Sequence, residues 1–321
     1  MRKIEIFCTL GPNSLNKKFL KFAQKNVDLL RINMSHVEAN QIFKIVKKIR
    51  SYTKTPICLD TEGAQIRTKV KKIKKFKKGE TLLIKFNDKN YNFYPIGVSR
   101  KFKKNDILEI GFEGLIAKVT KKSSSFLKLE FTSSGKFENN KGVHLKNRDI
   151  KLNFLTKKDY KAIEISKNLK INAFALSFTN NEKDVEKFKK LLPKSSRKIF
   201  KIESKQAIKN LDKIRKVGSD FLIDRGDMSR YLGVEKIPLL QRLILKKFKD
   251  RKYKVAIATN FLESMIYHPF PNRSEANDIY SSLEQGASGL VLAAETAIGK
   301  YPIDAVIYLK KIINIFKKNI I

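Results

Sequence analysis

Lys201 and Glu203 lie two residues apart in the run Lys198 to Glu203 (KIFKIE). On a β-strand both side chains would face the same side, setting an ammonium beside a carboxylate. Lys201 also sits between Phe200 and Ile202, inside an apolar run, which argues against a plain solvated lysine. Other short apolar runs end in polar groups too: Thr9; Arg31, Asn33 and Ser35; Asp60 and Thr61; Ser177; Arg225 and Asp227; Thr259; and Glu295 with Thr296. If these are strands whose ends converge, so many polar and charged groups cannot all be solvated cheaply; they must pair or hold an ion. Neither GxGxxG nor GxxxxGKS occurs, so the dinucleotide and P-loop phosphate cradles are missing.

The runs themselves indicate what positions these groups. Lys3 to Leu10, Asp28 to Asn33, Pro56 to Thr61, Asn172 to Phe178, Lys198 to Glu203, Asp220 to Asp224, Val255 to Asn260 and Gly289 to Thr296 read as β-strands. Helical patterns lie between them over Ala39 to Ser51, Thr156 to Asn168, Glu182 to Leu192, Gln206 to Lys216, Lys236 to Asp250, Ala276 to Gln285 and Tyr301 to Lys318. Thr156 with Asp159 three residues on supplies a helix start. Alternating strands and helices imply a parallel sheet, and eight strands favour closure. The expected fold class is α/β: a (β/α)8 TIM barrel with a small all-β barrel domain inserted after strand 3. The insert is the stretch from about Thr68 to Leu145, where short β-like runs alternate with Gly, Asn and Asp turns. The expected domains are therefore 1–67 with 146–321, and 68–145. The insert opens on the lysine run KVKKIKKFKKG, read as a surface loop or a lysine-defended edge strand.

A chain of 321 residues accommodates one barrel plus one insert, and 42% hydrophobic residues exclude wholesale disorder. Cys8 and Cys58 lie in apolar runs and make no disulfide framework, which fits a reducing, cytoplasmic setting. No apolar stretch approaches the ~20 residues that span a bilayer, and the N-terminus is too polar for a signal peptide. The net charge of +38 invites a nucleic-acid reading, but only 13 of the 69 basic residues are arginine. Such a lysine excess, alongside much Ile, Asn and Phe, fits compositional drift better than a recognition module, so no nucleic-acid partner is expected.

At the strand ends the residues carry a resemblance to the pyruvate kinase family. CTLGPNS, RINMSH, LDTEGAQIRT, KGVHL, ALSF, KIES, RGD, ATNFLESMIYHPFPNRSEANDI and AAETAIGKYP resemble its motifs in the same order over nearly the whole chain. The resemblance implies phosphoryl transfer from phosphoenolpyruvate to ADP, giving ATP and an enolate that is protonated to pyruvate. It implies Glu203 and Asp227 as ligands of Mg²⁺ or Mn²⁺, and Lys201 beside them stabilising the phosphoryl in transit. Backbone N–H groups of Gly226 and Asp227 would hold the substrate carboxylate. Thr259 would bind substrate and help deliver the enolate proton. Arg31 and Arg67 would hold phosphates, with Asn33, His36 and Lys141 on the nucleotide side. Asn33, Ser35, Asp60 and Thr61 would form a K⁺ shell.

The chain also departs from the family pattern. Glu62 stands at a usual lysine, Gln65 at a glutamate, Ala64 at a proline and Asn272 at a threonine. SKQA (204–207), the content of RGDMSRYLGVEK and Ala293–Ala294 differ as well. Relatives continue into a further C-terminal domain, whereas this chain reads as a short form. Regulation through that domain is not expected, and a homodimer would form through the barrel face near Asn272 to Glu275. Two rival readings follow from the departures: a pyruvate-enolate lyase or aldolase that ignores ADP, and a non-catalytic binding protein.

Overall fold

Inward-facing residues alternate along eight short parallel strands, and this alternation organises the larger of the molecule's two units. The computed structural model describes residues 3–111, 114–250 and 252–318. The chain divides into two compact units, residues 1–63 with 157–321, and residues 64–156. In the first unit β1 (Glu5–Thr9), β2 (Leu29–Asn33), β3 (Ile57–Asp60), β4 (Ala173–Leu176), β5 (Arg197–Ile202), β6 (Asp220–Asp224), β7 (Lys254–Ala258) and β8 (Gly289–Leu292) close into a barrel. Around the barrel the order is β1, β8, β7, β6, β5, β4, β3, β2, with every pairing parallel. The expected closed α/β barrel is thus present.

Phe7, Leu29, Cys58, Ala173, Ala175, Ile199, Leu222, Ala256, Ala258 and Val291 fill the barrel interior. Side chains two residues further along a strand point the same way. Parity therefore carries Arg31, Asp60, Ser177, Lys201, Glu203 and Asp224 to the C-terminal mouth, above the packed core. The alternate residues, such as Phe200, Phe221 and Ile257, are buried against the helices.

The helices are α1 (Lys17–Asn26), α2 (Ile42–Arg50), α3 (Lys157–Ser166), α4 (Glu182–Leu191), α5 (Lys205–Lys209), α6 (Leu211–Val217), α7 (Arg225–Leu232), α8 (Ile237–Lys247), α9 (Arg273–Glu284), α10 (Ala294–Ala297) and α11 (Pro302–Lys318). Four places differ from the pattern reading, one of them α7, which was not expected. The segment of α1 was not expected to be helical, because its lysines dilute a stripe made of Phe19, Leu20 and Ala23; Asn16 caps it by accepting from Phe19 N at 3.0 Å. The expected helix Gln206 to Lys216 breaks at Asn210, whose Nδ2 donates to Asn180 O at 2.8 Å. The expected strand Gly289 to Thr296 stops at Leu292, and Ala294–Ala297 is a helical turn. There the Glu295 carboxylate accepts from Ala293 N at 2.7 Å and Leu262 N at 3.3 Å, so a buried acid tethers the turn.

At the N-terminal end of the barrel, Arg197 ties three strands together. Its guanidinium donates to both oxygens of Asp220 (2.7 and 2.8 Å) and of Glu5 (2.9 and 2.8 Å), and lies 5.2 Å from the Phe7 ring centroid. Burial works against its charge, but the two carboxylates hold its pKa above the ordinary arginine value. Removing one member of such a network strands the others. Arg197→Ala should cost about 3 kcal/mol, the low end for a broken buried pair because the side chain is 23% exposed. Chemical denaturation measures this, and a loss below ~1 kcal/mol would show that the network adds little.

The second unit is an antiparallel seven-stranded sheet. Its order is Thr81–Lys85, Phe126–Phe131, Leu115–Lys122, Ile107–Ile110, Gly142–Leu145, Ile66–Val70, Tyr91–Tyr94. Residues 86–90 alone join the two outer strands, so the sheet must curl round on itself into a barrel-like form. Lys74–Phe76 pairs with Gly135–Phe137 in a separate ribbon. Within the lysine run, Lys74 and Lys75 face solvent while Phe76 is buried, stacked 3.9 Å from Phe131. Among the described residues, no helix is long and apolar enough to cross a membrane.

Candidate active site

Lys201 is the hub of the barrel mouth. Its ammonium is buried, 3.0 Å from Glu203 Oε2, 3.1 Å from Asp224 Oδ2 and 3.6 Å from Asp60 Oδ2, and it donates to Ser177 Oγ at 3.3 Å. Burial would lower its pKa, but the carboxylates of Asp60, Glu203 and Asp224 more than offset that and hold it protonated above the ordinary lysine value. Arg31 enters from β2, with Nε 3.2 Å from Asp60 Oδ2. Its buried Nη1 finds no hydrogen-bond acceptor among the described residues. A buried, unspent guanidinium donor is what an anionic ligand would fill.

The acids outnumber these cations. Glu203, Asp224 and Asp60 are buried and Asp227 is half-buried, facing Lys201 and Arg31. Burial is the main cause pushing Glu203 up to about 8; Lys201, shared among three carboxylates, opposes it only in part. Asp224 goes the other way. Burial would raise it, yet Lys201, Arg31 and the Thr259 hydroxyl bring it down to about 2. One oxygen from each of Glu203, Asp224 and Asp227 lies within 4.8 Å of the others. Hard carboxylates carrying a buried negative surplus fit Mg²⁺ or Mn²⁺.

The Glu203 shift has a sign. Folded Glu203 keeps its proton up to about 8, whereas unfolded it loses it near the ordinary value of 4.5. Between those pH values the folded chain binds more protons, so the contribution of Glu203 to stability falls as pH rises. Glu203→Gln should therefore gain stability relative to the parent as pH goes from 5 to 8, measured by denaturation in chelator. An unchanged difference over that range would contradict it.

Two backbone strains surround the hub. Phe178 has φ +51° and donates its N–H to Glu203 Oε1 at 2.6 Å. Thr259 has φ +83° and donates Oγ1–H to Asp224 Oδ1 at 2.8 Å. Neither residue favours that region, and such conformations cost on the order of 1–3 kcal/mol each. Thr259 is kept there by Arg225. The arginine's Nε donates to Thr259 O at 3.0 Å, its Nη1 binds Asp278 at 2.7 and 2.9 Å, and it lies 4.3 Å from the Phe261 ring centroid.

Gly226 and Asp227 fall in the first turn of α7, where backbone N–H groups have no intrahelical acceptor. A Cβ on Gly226 would meet Thr259 Cγ2 at 3.0 Å, so only glycine leaves that turn open. Thr61 and Ser177 brace each other: Ser177 N donates to Thr61 Oγ1 at 3.0 Å, and Ser177 Oγ to Thr61 O at 2.7 Å. Gly63, at φ +69°, permits the close pass, since a Cβ there would lie 2.8 Å from Ser177 Cβ. Asp159 on α3 anchors the same loop, accepting from Glu62 N at 2.7 Å and Gly63 N at 3.1 Å.

The first unit thus gathers Arg31, Asp60, Thr61, Lys201, Glu203, Gly226, Asp227 and Thr259 at one strand-end cluster. Asn33 accepts from Ser35 N at 3.0 Å, and His36 is exposed beyond them. The monovalent-cation set fits less well. Asp60 is engaged by Arg31, Lys201 and Ser177, and Thr61 Oγ1 by Ser177 N. Arg67 and Lys141 belong to the second unit, where Arg67 pairs with Gly142 across the sheet and its Nη1 donates to Asn140 O at 3.2 Å. Lys141 is 2.8 Å from Glu138. The sequence reading missed Asp224 as a site residue, and it took Arg225 only as a polar strand-end group and Asp159 only as part of a helix start, neither as a support of the site. Asp224 was legible: it stands two residues after the inward Leu222, the spacing that marks Lys201 after Ile199.

The chain is also similar in sequence to known proteins. Residues 1–306 match the family described as pyruvate kinase, barrel domain. The chain is 32% identical to the pyruvate kinase of Thermotoga maritima, covering 97% of this chain and 70% of that protein. It is 31% identical to that of Methanocaldococcus jannaschii, over 97% and 69% respectively. It is 30% identical to the chloroplastic pyruvate kinase isozyme G of Nicotiana tabacum, over 95% and 57%.

Proposed function

From the premise that the chain belongs to the pyruvate kinase family, we propose that it moves the phosphoryl group of phosphoenolpyruvate to ADP and protonates the resulting enolate to pyruvate. An oxygen of the ADP β-phosphate attacks phosphorus, the bond from phosphorus to the enol oxygen breaks, and the enolate carbon takes a proton. Each step sets a demand on this chain's residues. The transferring group spreads negative charge over its oxygens, and the Lys201 ammonium, permanently charged and already desolvated, meets it without reorganisation. Arg31, with Nη1 unspent, takes a second phosphoryl oxygen. Glu203 and Asp227 would hold a divalent ion, which when bound would supply electrostatic stabilisation to the phosphate oxygens and the developing enolate. N–H groups at the start of α7, opened by Gly226, receive the substrate carboxylate. The Thr259 hydroxyl, aimed inward by its left-handed backbone, holds a proton beside the enolate carbon. In the second unit, the neighbouring cations Arg67 and Lys141 suit nucleotide phosphates. No step is assigned to K⁺.

One observation carries the reading: a buried ammonium shared among carboxylates that exceed it, with an unspent guanidinium donor on the other side of Asp60. Such an arrangement suits a dication and a phosphoryl group together. Glu62, the charge reversal in the LDTEG loop, is accommodated inside the barrel unit by Lys158 at 3.6 Å. It therefore does not by itself call for a different reaction. The test is pyruvate formation from phosphoenolpyruvate and Mg²⁺, with and without ADP. Turnover that requires ADP and yields ATP stoichiometrically supports the proposal. Pyruvate formed equally without ADP would point to lyase chemistry, and no turnover in a folded, metal-binding chain would point to a binding role.

A further inference from the structure

We infer that Asp224 is a third carboxylate ligand of the divalent cation, an inference that rests on reading Glu203 and Asp227 as its site. Asp224 ends β6, which pairs with β5, and Glu203, Asp224 and Asp227 each offer one oxygen within 4.8 Å of the others. Around octahedral Mg²⁺ at about 2.1 Å, ligand oxygens stand about 3.0 Å apart when adjacent and about 4.2 Å when opposite. From separations of up to 4.8 Å, the oxygen–oxygen distances would shrink by at most about 1.8 Å, roughly 1 Å of movement per oxygen, within the reach of a side-chain rotation.

Both Asp224 oxygens are oriented by the site. Oδ1 accepts from Thr259 and Oδ2 meets Lys201. Each carboxylate oxygen has further lone-pair capacity, so neither contact precludes a metal bond. Glu203 Oε2 gives an independent sign that the cluster is incomplete. It is fully buried and ion-paired with the shared Lys201 ammonium at 3.0 Å, and among the described residues it accepts no hydrogen bond. A third acid also has a chemical consequence. Ligand charge tunes the affinity of hard cations. A dication on two carboxylates leans on substrate oxygens for retention, whereas one on three is held before substrate arrives.

Mn²⁺ binding to the substrate-free protein, followed by the paramagnetic resonance of the free ion, tests this. Asp224→Asn preserves shape and can still accept from Thr259, yet loses the anionic ligand. It should weaken Mn²⁺ about tenfold or more, and Asp224→Ala at least as much. Glu203→Gln and Asp227→Asn serve as references, with circular dichroism confirming the fold. If both references weaken and Asp224→Asn binds as tightly as the parent, Asp224 is not a ligand and the two-acid site stands. If the parent itself binds no Mn²⁺, both readings fall. If Asp224→Ala does not fold, the isosteric Asp224→Asn alone decides.

Discussion

Lys201→Ala should lower kcat for pyruvate formation by on the order of 10³-fold, with the KM for phosphoenolpyruvate changing far less. Loss of one preorganised donor in an enzyme site costs about 10²–10³-fold, and here the donor is a full charge in a buried setting. The ammonium already meets three carboxylates, so in the resting site it is neutralised locally. Its advantage grows only when phosphoryl charge develops, which is why the loss falls on kcat. Lys201→Arg should not rescue: a planar fork on a longer stem does not fit a pocket sized for a compact ammonium between Ser177 and Asp224. Removing the lysine also leaves Glu203 and Asp224 without their shared cation. Their proton uptake should then increase, and Mg²⁺ should bind the variant at least as tightly at pH 8 as the parent. A kcat within tenfold of the parent would remove Lys201 from the catalytic centre.

How much of this was legible in the sequence follows from strand parity. Where a residue sits an even number of positions from an inward core residue on a regular strand, its direction follows from sequence alone. Lys201, Glu203, Arg31 and Asp60 are of that kind, and the barrel itself follows from eight such runs. Parity fails where the backbone leaves the extended region. Thr259 is one residue after the inward Ala258 and two after Ile257, which packs outward. Alternation would turn it away from the mouth. A φ of +83° reverses it, and no residue pattern signals that strain. Phe178 is similar: its role is carried by a backbone N–H, which any residue type offers. Asp159 and Arg225 were opaque for another reason. Their partners lie 97 and 53 residues away or on a distant carbonyl, and long-range pairing of single charges has no local period. The lysine surplus was the loudest feature of the composition, yet the proposed chemistry rests on one buried lysine and the acids around it.

Arg225→Ala should cost about 10²-fold in kcat although Arg225 is a positioning residue. The strained Thr259 backbone persists only because its surroundings over-determine it, and Arg225 supplies the principal restraint: its fork holds the Thr259 carbonyl while Asp278 and the Phe261 ring hold the fork. Without it, Thr259 should relax toward ordinary φ and swing its hydroxyl off Asp224. Misplacement of a reacting group by about 1 Å is enough for a loss of that size. A purely structural role would lower the melting temperature and leave the partition between steps unchanged. The positioning role predicts otherwise. Metal-dependent exchange of pyruvate methyl protons with solvent, which tests enolate protonation alone, should fall as steeply as the full reaction. Arg225→Lys should recover little, because a point charge cannot engage the carbonyl, Asp278 and the ring at once. Asp278→Asn should show a smaller loss in the same direction, and combining it with Arg225→Ala should add almost nothing, as expected for two members of one clamp. If Arg225→Lys retains both turnover and methyl exchange near parental levels, the fork is not what holds Thr259, and the strain must be maintained by the flanking residues Asn260 and Phe261 instead.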